Sequence, residues 1–197
     1  MPRKREHDPA HVLQGLVAAF RERGFDGTSF SDLEAATGLD RAQLSREYGD
    51  KRTLFMTAVD HVIESGFEQH LRPLAEGGGI RQIRQLLFMV CDLAGTEEGR
   101  LSCLVCNSCR EPIAATDPGV AALVDKHFRR LEGAYAGALN NSVASGELQM
   151  SSAQIRRAAR HLYGVHVSLM VLLRAGEPRA VLRDIALQAL KTIDAAV

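Results

Sequence analysis

Ser29-Phe30-Ser31-Asp32-Leu33-Glu34-Ala35-Ala36-Thr37-Gly38-Leu39-Asp40-Arg41-Ala42-Gln43-Leu44-Ser45-Arg46-Glu47-Tyr48-Gly49-Asp50-Lys51 is the stretch that decides how this chain folds. Ser29 and Asp32 stand in Ser-x-x-Asp spacing, a variant of the capping box, and so start a helix. Leu33 and Ala36 point inward from that helix, and Gly38 ends it. Asp40 caps a third helix, residues 41–48, in which Leu44 and Tyr48 stand four apart and share the inner face. Gly49 breaks it, and Asp50 caps a fourth helix running from about Lys51 to His70. Upstream, Asp8-Pro9 pairs an N-cap with a proline at the first helical position. Val12, Leu13, Leu16, Val17 and Phe20 then recur at helical spacing until Gly24 closes the first helix.

Two short helices joined by a glycine turn and backed by a supporting helix are the helix-turn-helix arrangement. The second helix of such a pair can enter a major groove with its first turns against base edges. Here Arg41, Gln43, Ser45, Arg46 and Glu47 are left for solvent or DNA. Arg and Gln suit bidentate contacts with guanine and adenine. Ser29, Ser45 and Lys51 can donate to phosphate oxygens, and Arg3-Lys4-Arg5 can reach phosphates as an arm. The chain has 197 residues, with 24 Lys and Arg against 24 Asp and Glu. Residues 1–52 balance at nine of each sign, so placement of charge, and not its total, must carry any DNA contact.

Beyond Pro73 and Gly77-Gly78-Gly79, periodicity and punctuation predict helices near 80–94, 100–111, 117–145, 152–175 and 178–196. No stretch alternates with a period of two, and no internal repeat is present. The expected class is all-α, with about nine helices. The composition excludes a disordered tail, a collagen-like chain or a small disulfide scaffold. The apolar run Val165–Leu173 is interrupted by His166 and Ser168 and is too short to span a bilayer. No apolar segment follows Met1-Pro2-Arg3-Lys4-Arg5, so a cytoplasmic chain without a membrane partner is expected.

The cysteines are Cys91, Cys103, Cys106 and Cys109, expected to be free thiols in a reducing compartment. If residues 100–111 form one helix, the last three thiols fall within an arc of about 120°. Three readings follow. The thiols are small buried hydrophobes, or a thiolate senses electrophiles or oxidants, or Cys103, Cys106 and Cys109, with Cys91 or a histidine, hold a thiophilic metal. A reversible organic ligand draws its lining from Phe88, Cys91, Cys106, His127, Phe128, Tyr135, Tyr163 and His166. The motifs of dinucleotide binding, the P-loop, the serine-nucleophile elbow and the zinc protease are all missing from the sequence. A thiol enzyme using the cysteines with His127 or His166, and a helical protein-interaction module, stand as alternatives.

Residues 20–55 resemble the tetracycline-repressor (TetR) family of bacterial regulators. The resemblance lies in Gly24-Phe25 before the Thr28-Ser29 cap, Gly38-Leu39 in the turn, Leu44 and Tyr48, and Lys51 with Leu54-Phe55. It implies a homodimeric regulator, usually a repressor, released from a palindromic double-stranded DNA operator by a small molecule. It also implies a division into a DNA-binding domain, 1–52, a linking helix 4, about 51–70, and a ligand-binding and dimerisation domain, 71–197. Ser31, Arg41, Gln43 and Glu47 become base-facing positions, and Ser29, Ser45 and Lys51 phosphate contacts. Two residues depart from the family pattern: Ser45 replaces the usual aromatic, and Glu47 a common histidine. An acid on the duplex accepts from a cytosine amino group or repels, which implies an unusual operator. The apolar faces of the last two helices (Ile155, Leu162, Val165, Leu169, Leu172, Leu173; Val181, Leu182, Ile185, Leu187, Leu190, Ile193) fall to a four-helix dimer interface. Ser102-Cys103-Leu104-Val105-Cys106-Asn107 resembles the corresponding region of members that include reactive-electrophile regulators. No metal or cofactor is assigned.

Overall fold

The computed structural model describes residues 8–194, and these fold into helices without a strand among them. In the N-terminal part, α1 (Pro9–Gly27), α2 (Phe30–Thr37), α3 (Arg41–Tyr48) and α4 (Lys51–Gly66) follow one another closely. Each start is capped as expected. The Asp8 carboxylate accepts from the Ala10 amide. Ser29 with Asp32, and Asp40 with Gln43, form reciprocal capping boxes, and Asp50 accepts from the Thr53 amide. Gly24, at φ 72° and ψ −176°, breaks the regular path of α1, and one further turn follows it. Gly38, at φ 73°, closes α2 in the left-handed region that a residue with a Cβ enters only at a cost.

One apolar core fixes this unit. Val12, Leu16 and Phe20 of α1, Leu33 of α2, Leu39 of the turn, Leu44 of α3, and Leu54, Phe55, Ala58, Val59 and Ile63 of α4 are all buried together. Phe20 and Phe25 both meet the Phe55 ring edge-on, at 5.1 and 5.2 Å between centroids. Helices α1 and α2 approach so closely at Gly15 that a Cβ there would lie 2.3 Å from the Ala36 carbonyl oxygen. Leu104, Val105, Ile113 and Val120, from much later in the chain, complete the same core.

The helix expected to stop at His70 does not stop there. It widens into a π turn, Phe67–Leu71, and continues as α5, Arg72–Gly77. Pro73 has no N–H and cannot sit in an unbroken ladder. The ladder widens just ahead of it, where the Arg72 N–H reaches back five residues to the Phe67 carbonyl. Next come α6 (Ile80–Asp92), α10 (Pro118–Ala144), α11 (Ser152–Ala175) and α12 (Arg179–Asp194), with three short helices between α6 and α10.

Those short helices correct the sequence reading of residues 100–111. They are α7 (Glu97–Leu101), α8 (Leu104–Ser108) and α9 (Pro112–Thr116). The break falls at Ser102, whose φ of 56° is the one positive value outside glycine among the described residues. Its environment holds it there. Its hydroxyl donates to the Met170 carbonyl at 2.7 Å, its amide to the Glu98 and Gly99 carbonyls, and its carbonyl accepts from the Arg21 guanidinium. Cys103 therefore becomes the extended N-cap of α8 and Cys109 its C-cap, and only Cys106 lies within the helix.

A second core joins α5, α6, α10, α11 and α12 through Leu74, Ile83, Leu87, Val90, Leu131, Ala138, Leu139, Ala159, Leu162, Leu169, Leu182 and Leu190. Tyr135 and His166 are buried within it, and the Tyr135 hydroxyl shares a hydrogen bond with His166 Nδ1 at 2.9 Å. Burial pushes the Tyr135 phenol up and the His166 imidazole down to about 4. Helix α4 is tied to α10 by ions as well as by packing. Lys126 binds Asp60 and Glu64 at 2.8 and 2.6 Å, Arg130 binds Glu64 at 2.9 Å, and Arg52 holds Asp117, the α10 N-cap.

Two outcomes follow from this packing. Gly15→Ala should lower the chemical-denaturation stability by roughly 1–3 kcal/mol, because the methyl group meets a carbonyl oxygen on a neighbouring helix. His166 is held neutral in the fold, below its ordinary value of 6.5, so the unfolded chain binds the proton first. Its contribution is complete above pH 6.5 and is lost as pH falls toward about 4. Denaturation midpoints measured from pH 7 down to pH 4 should therefore fall less steeply in His166→Gln than in the parent.

Candidate nucleic-acid interface and sensing cavity

Helix α3 is only eight residues long and too short to stand by itself in water. Leu44 anchors it, fully buried beneath it, with Tyr48 packed on the rim of the same core. With that side fixed, Arg41, Ser45, Arg46 and Glu47 are exposed. The Arg41 amide donates to Glu34 Oε1 at 2.6 Å, and its guanidinium lies 4.5 Å from the centre of the Phe30 ring. Arg46 Nη2 reaches Glu47 Oε1 at 3.2 Å, so the acid on this face carries its own counter-charge. Gln43 is half-buried, and its side-chain oxygen accepts from the Asp40 amide at 3.1 Å. The same residue that the sequence offers as a reader of adenine thus also closes the cap of α3.

The flanking positions are arranged around this helix. Ser31 is exposed on α2. Ser29 caps α2, and its hydroxyl and amide both donate to Asp32 Oδ2, at 2.6 and 2.8 Å. Those two bonds hold the Asp32 carboxyl below the usual range, with Arg23 adding its charge at 3.1 Å. Lys51 stands at the first turn of α4, where its ammonium lies 4.8 Å from the centre of the Phe25 ring and donates to the Asp26 carbonyl at 3.4 Å. The expected basic arm, Arg3-Lys4-Arg5, lies outside the described residues.

A second site lies against α4 from the other side. Cys103, Cys106, His127 and His166 line one cavity of about 130 Å³, walled otherwise by Val62, Leu71, Leu86, Leu131, Met89 and Met170, with His70 at the π turn. It shares walls with a wider recess of about 260 Å³ that reaches Val17 and Arg21 of α1. Organic ligands commonly occupy roughly 300–1,000 Å³, so the inner cavity by itself fits only a small group.

Of the other residues singled out for this site, Tyr135 stands behind His166 as its hydrogen-bond partner. The structure does not bring the rest to this cavity. Cys91 is buried in the α6 core and Cys109 is exposed. The Phe88 ring lies beneath the Arg183 guanidinium, at 4.8 Å, and Phe128 packs on Tyr163 at 5.7 Å. Once the helix breaks at Ser102, the three thiols no longer share a face. Cys103 and Cys106 converge, and His127 takes the place expected of Cys109, with the three donor atoms within 4.8 Å of one another. A hydrogen bond from Cys106 and the neighbouring His127 hold the Cys103 thiol well below its ordinary range, whereas the paired Cys106 thiol is pushed up. His70, Met89 and Met170 gave no signal in the sequence, because the π turn that delivers His70 lies where a helix end was expected.

On the outer side of α11 and α12, Val165, Ile185 and Ala189 line an open apolar groove edged by His161, Asp184 and Gln188. Val181, Leu187 and Val171 are exposed, at 41%, 37% and 42%. Ile155, Leu162, Leu169, Leu173, Leu182, Leu190 and Ile193, assigned by resemblance to a dimer face, are instead buried in the chain's own core.

No protein-family model matches the chain. It is 31% identical over 170 residues to the HTH-type transcriptional regulator YezE of Bacillus subtilis, covering 86% of this chain and 87% of that one. A cysteine mutant of the TetR family regulator CifR, complexed with 26bp operator DNA, superposes with a TM-score of 0.82 at 21% identity, over 96% of this chain and 98% of that chain. FadR from Bacillus subtilis, in complex with stearoyl-CoA, gives a TM-score of 0.67 at 12% identity over 96% and 100%. At such identities the two structures speak for the fold, while YezE aligns along most of both chains. A helix-turn-helix built on α1 to α4, a helical body behind it and this relative together make the chain a member of the TetR family of transcriptional regulators.

Proposed function

We propose that the chain acts as a homodimeric repressor that reads a palindromic operator with α3 and releases it when a small molecule occupies the cavity against α4. The observation that carries this reading is the anchoring of α3 through Leu44, which leaves Arg41, Ser45, Arg46 and Glu47 exposed on a helix fixed at both ends by caps. Residues 1–52 are then the DNA-binding domain and α4 the link. Residues 71–197 bind the effector and form the dimer. CifR, whose fold is shared, is held on operator DNA, and FadR is held with stearoyl-CoA.

Arg41 and Gln43 read bases at the start of α3, with Ser31 beside them. Ser29, Ser45 and Lys51 bind phosphates, and Glu47 sets preference at one base pair. The Gln43 oxygen also accepts from the Asp40 amide in the cap of α3, so a base has to share it. Arg46 offsets the charge of Glu47, which lowers the repulsion an unpaired acid meets beside phosphates. Two copies related by a two-fold axis place their α3 helices one turn of DNA apart, about 34 Å. The groove of Val165, Ile185 and Ala189 supplies the meeting surface.

A ligand entering between α4, α6, α10 and α11 has to enlarge a cavity of about 130 Å³. The walls that can yield are Val62, Gly66 and His70, which lie on α4 and its π turn. Movement of α4 is movement of the recognition unit, because Leu54 and Phe55 share the core with Leu44.

Selection of bound duplexes from a random pool should recover a palindrome with half-sites about one helical turn apart; recovery of no preferred sequence would overturn the reading. Against the selected site, Arg41→Ala should cost about 1–3 kcal/mol and relax preference at one position per half-site. Lys51→Ala should weaken all duplexes alike and reduce the salt slope by about one. Glu47→Ala should change which base is preferred. Ile185→Glu should shift sedimentation from dimer to monomer and weaken operator binding with it.

A further inference from the structure

From the convergence of Cys103, Cys106 and His127 we infer a binding site for one thiophilic d10 cation, Zn2+ or Cu+, in the cavity beneath α4. The three donor atoms come from separate places in the chain, namely the N-cap of α8, the third residue of that helix and the middle of α10. They nonetheless lie within 4.8 Å of one another. A tetrahedral site with metal–sulfur bonds of about 2.3 Å needs its donors about 3.8 Å apart. Closing from 4.8 Å therefore asks each side chain to move by a fraction of an ångström, which is a matter of rotamers and leaves the backbone in place.

The donor types select the ion. Two thiolates and an imidazole suit borderline and soft cations, and hard oxygen-seeking ions find no carboxylate in this cavity. The Cys-x-x-Cys spacing of 103 and 106 matches the tighter half of many zinc sites. The electrostatics agree. The lining contains no lysine and no arginine, and its remaining walls are largely aliphatic or thioether. In such surroundings a bare charge is costly and a neutral complex is not. A dication with two thiolates is neutral, and Cu+ with two leaves a single negative charge beside three imidazoles, those of His70, His127 and His166.

Binding breaks two S–H bonds and forms two metal–sulfur bonds, and the two protons pass to solvent. His127 donates a ring nitrogen lone pair and stays neutral. No electron is transferred. The fourth position faces the cavity, where a water or another small donor completes the shell. Cys109, exposed at the far end of α8, and Cys91, buried in the α6 core, take no part. The site stands whether or not α3 reads an operator.

The test uses the reduced, metal-free, full-length protein under anaerobic conditions. Titration with Co2+, the coloured stand-in for Zn2+, should give one equivalent of tetrahedral d–d absorption with a thiolate-to-cobalt charge-transfer band, bleached by Zn2+. A parallel titration sets the protein against a chromogenic Cu+ chelator, and the arm that binds more tightly identifies the ion. Cys103→Ser, Cys106→Ser and His127→Ala should each weaken binding at least about 100-fold, since even loss of an outer-shell partner costs 10–100-fold. Cys91→Ser and Cys109→Ser should bind as the parent does. Helical circular dichroism checks each variant for folding, and His127, on the rim of the cavity, is the substitution least able to disturb the core. Absence of a thiolate band together with failure to retain Cu+ would overturn the inference, as would parental affinity in a folded His127→Ala.

Discussion

The placement of the recognition helix, α3, depends on Leu44. A helix of eight residues contributes little stability of its own, so α3 keeps its shape and direction because Leu44 is sunk in the core that also holds Leu16, Phe20, Leu33, Leu54 and Phe55, with Tyr48 packed against it. The capping boxes then settle where α2 and α3 begin, and the left-handed Gly38 settles the angle between them. Local chemistry and tertiary burial agree residue by residue, which is the condition for one structure to win over its competitors.

That agreement explains how much was legible beforehand. Caps are short-range devices, and each one read from the sequence at Asp8, Ser29, Asp40 and Asp50 is present. The four long or amphipathic elements α6, α10, α11 and α12 were likewise written in apolar periodicity. What was not legible came from contacts distant in sequence. Nothing between Arg100 and Glu111 announces that Ser102 will turn the chain, because the groups that hold it belong to Arg21 and Met170. The arc expected to hold Cys103, Cys106 and Cys109 is lost with that helix. Only the fold could exchange Cys109 for His127 and bring in His70, Met89 and Met170.

The positions proposed to face DNA show a different limit. Their exposure was readable, but their commitments were not. Gln43 is bound into a cap, Arg46 is paired with Glu47, and Arg41 rests on Phe30. Each of these side chains carries a local partner that a base or phosphate has to match or share, so the reach of this face is less than a list of its donors suggests. The ion pairs between α4 and α10 are half-exposed and individually modest. Their importance is geometric, since they join the helix that follows α3 to the longest helix of the body.

The π turn at Phe67–Leu71 has an effect that extends past its own five residues. Each residue of an α-helix advances the azimuth by about 100°, so one extra residue swings everything downstream onto a different bearing. Before the turn, Leu54, Phe55, Ala58, Val59 and Ile63 serve the core that carries α3; at its end and beyond, Leu71 and Leu74 serve the other. A single continuous rod thereby presents two apolar sectors aimed at two separate masses. Removing that one residue would turn the second half toward the wrong neighbour and set Pro73 in a regular ladder that has no place for its ring.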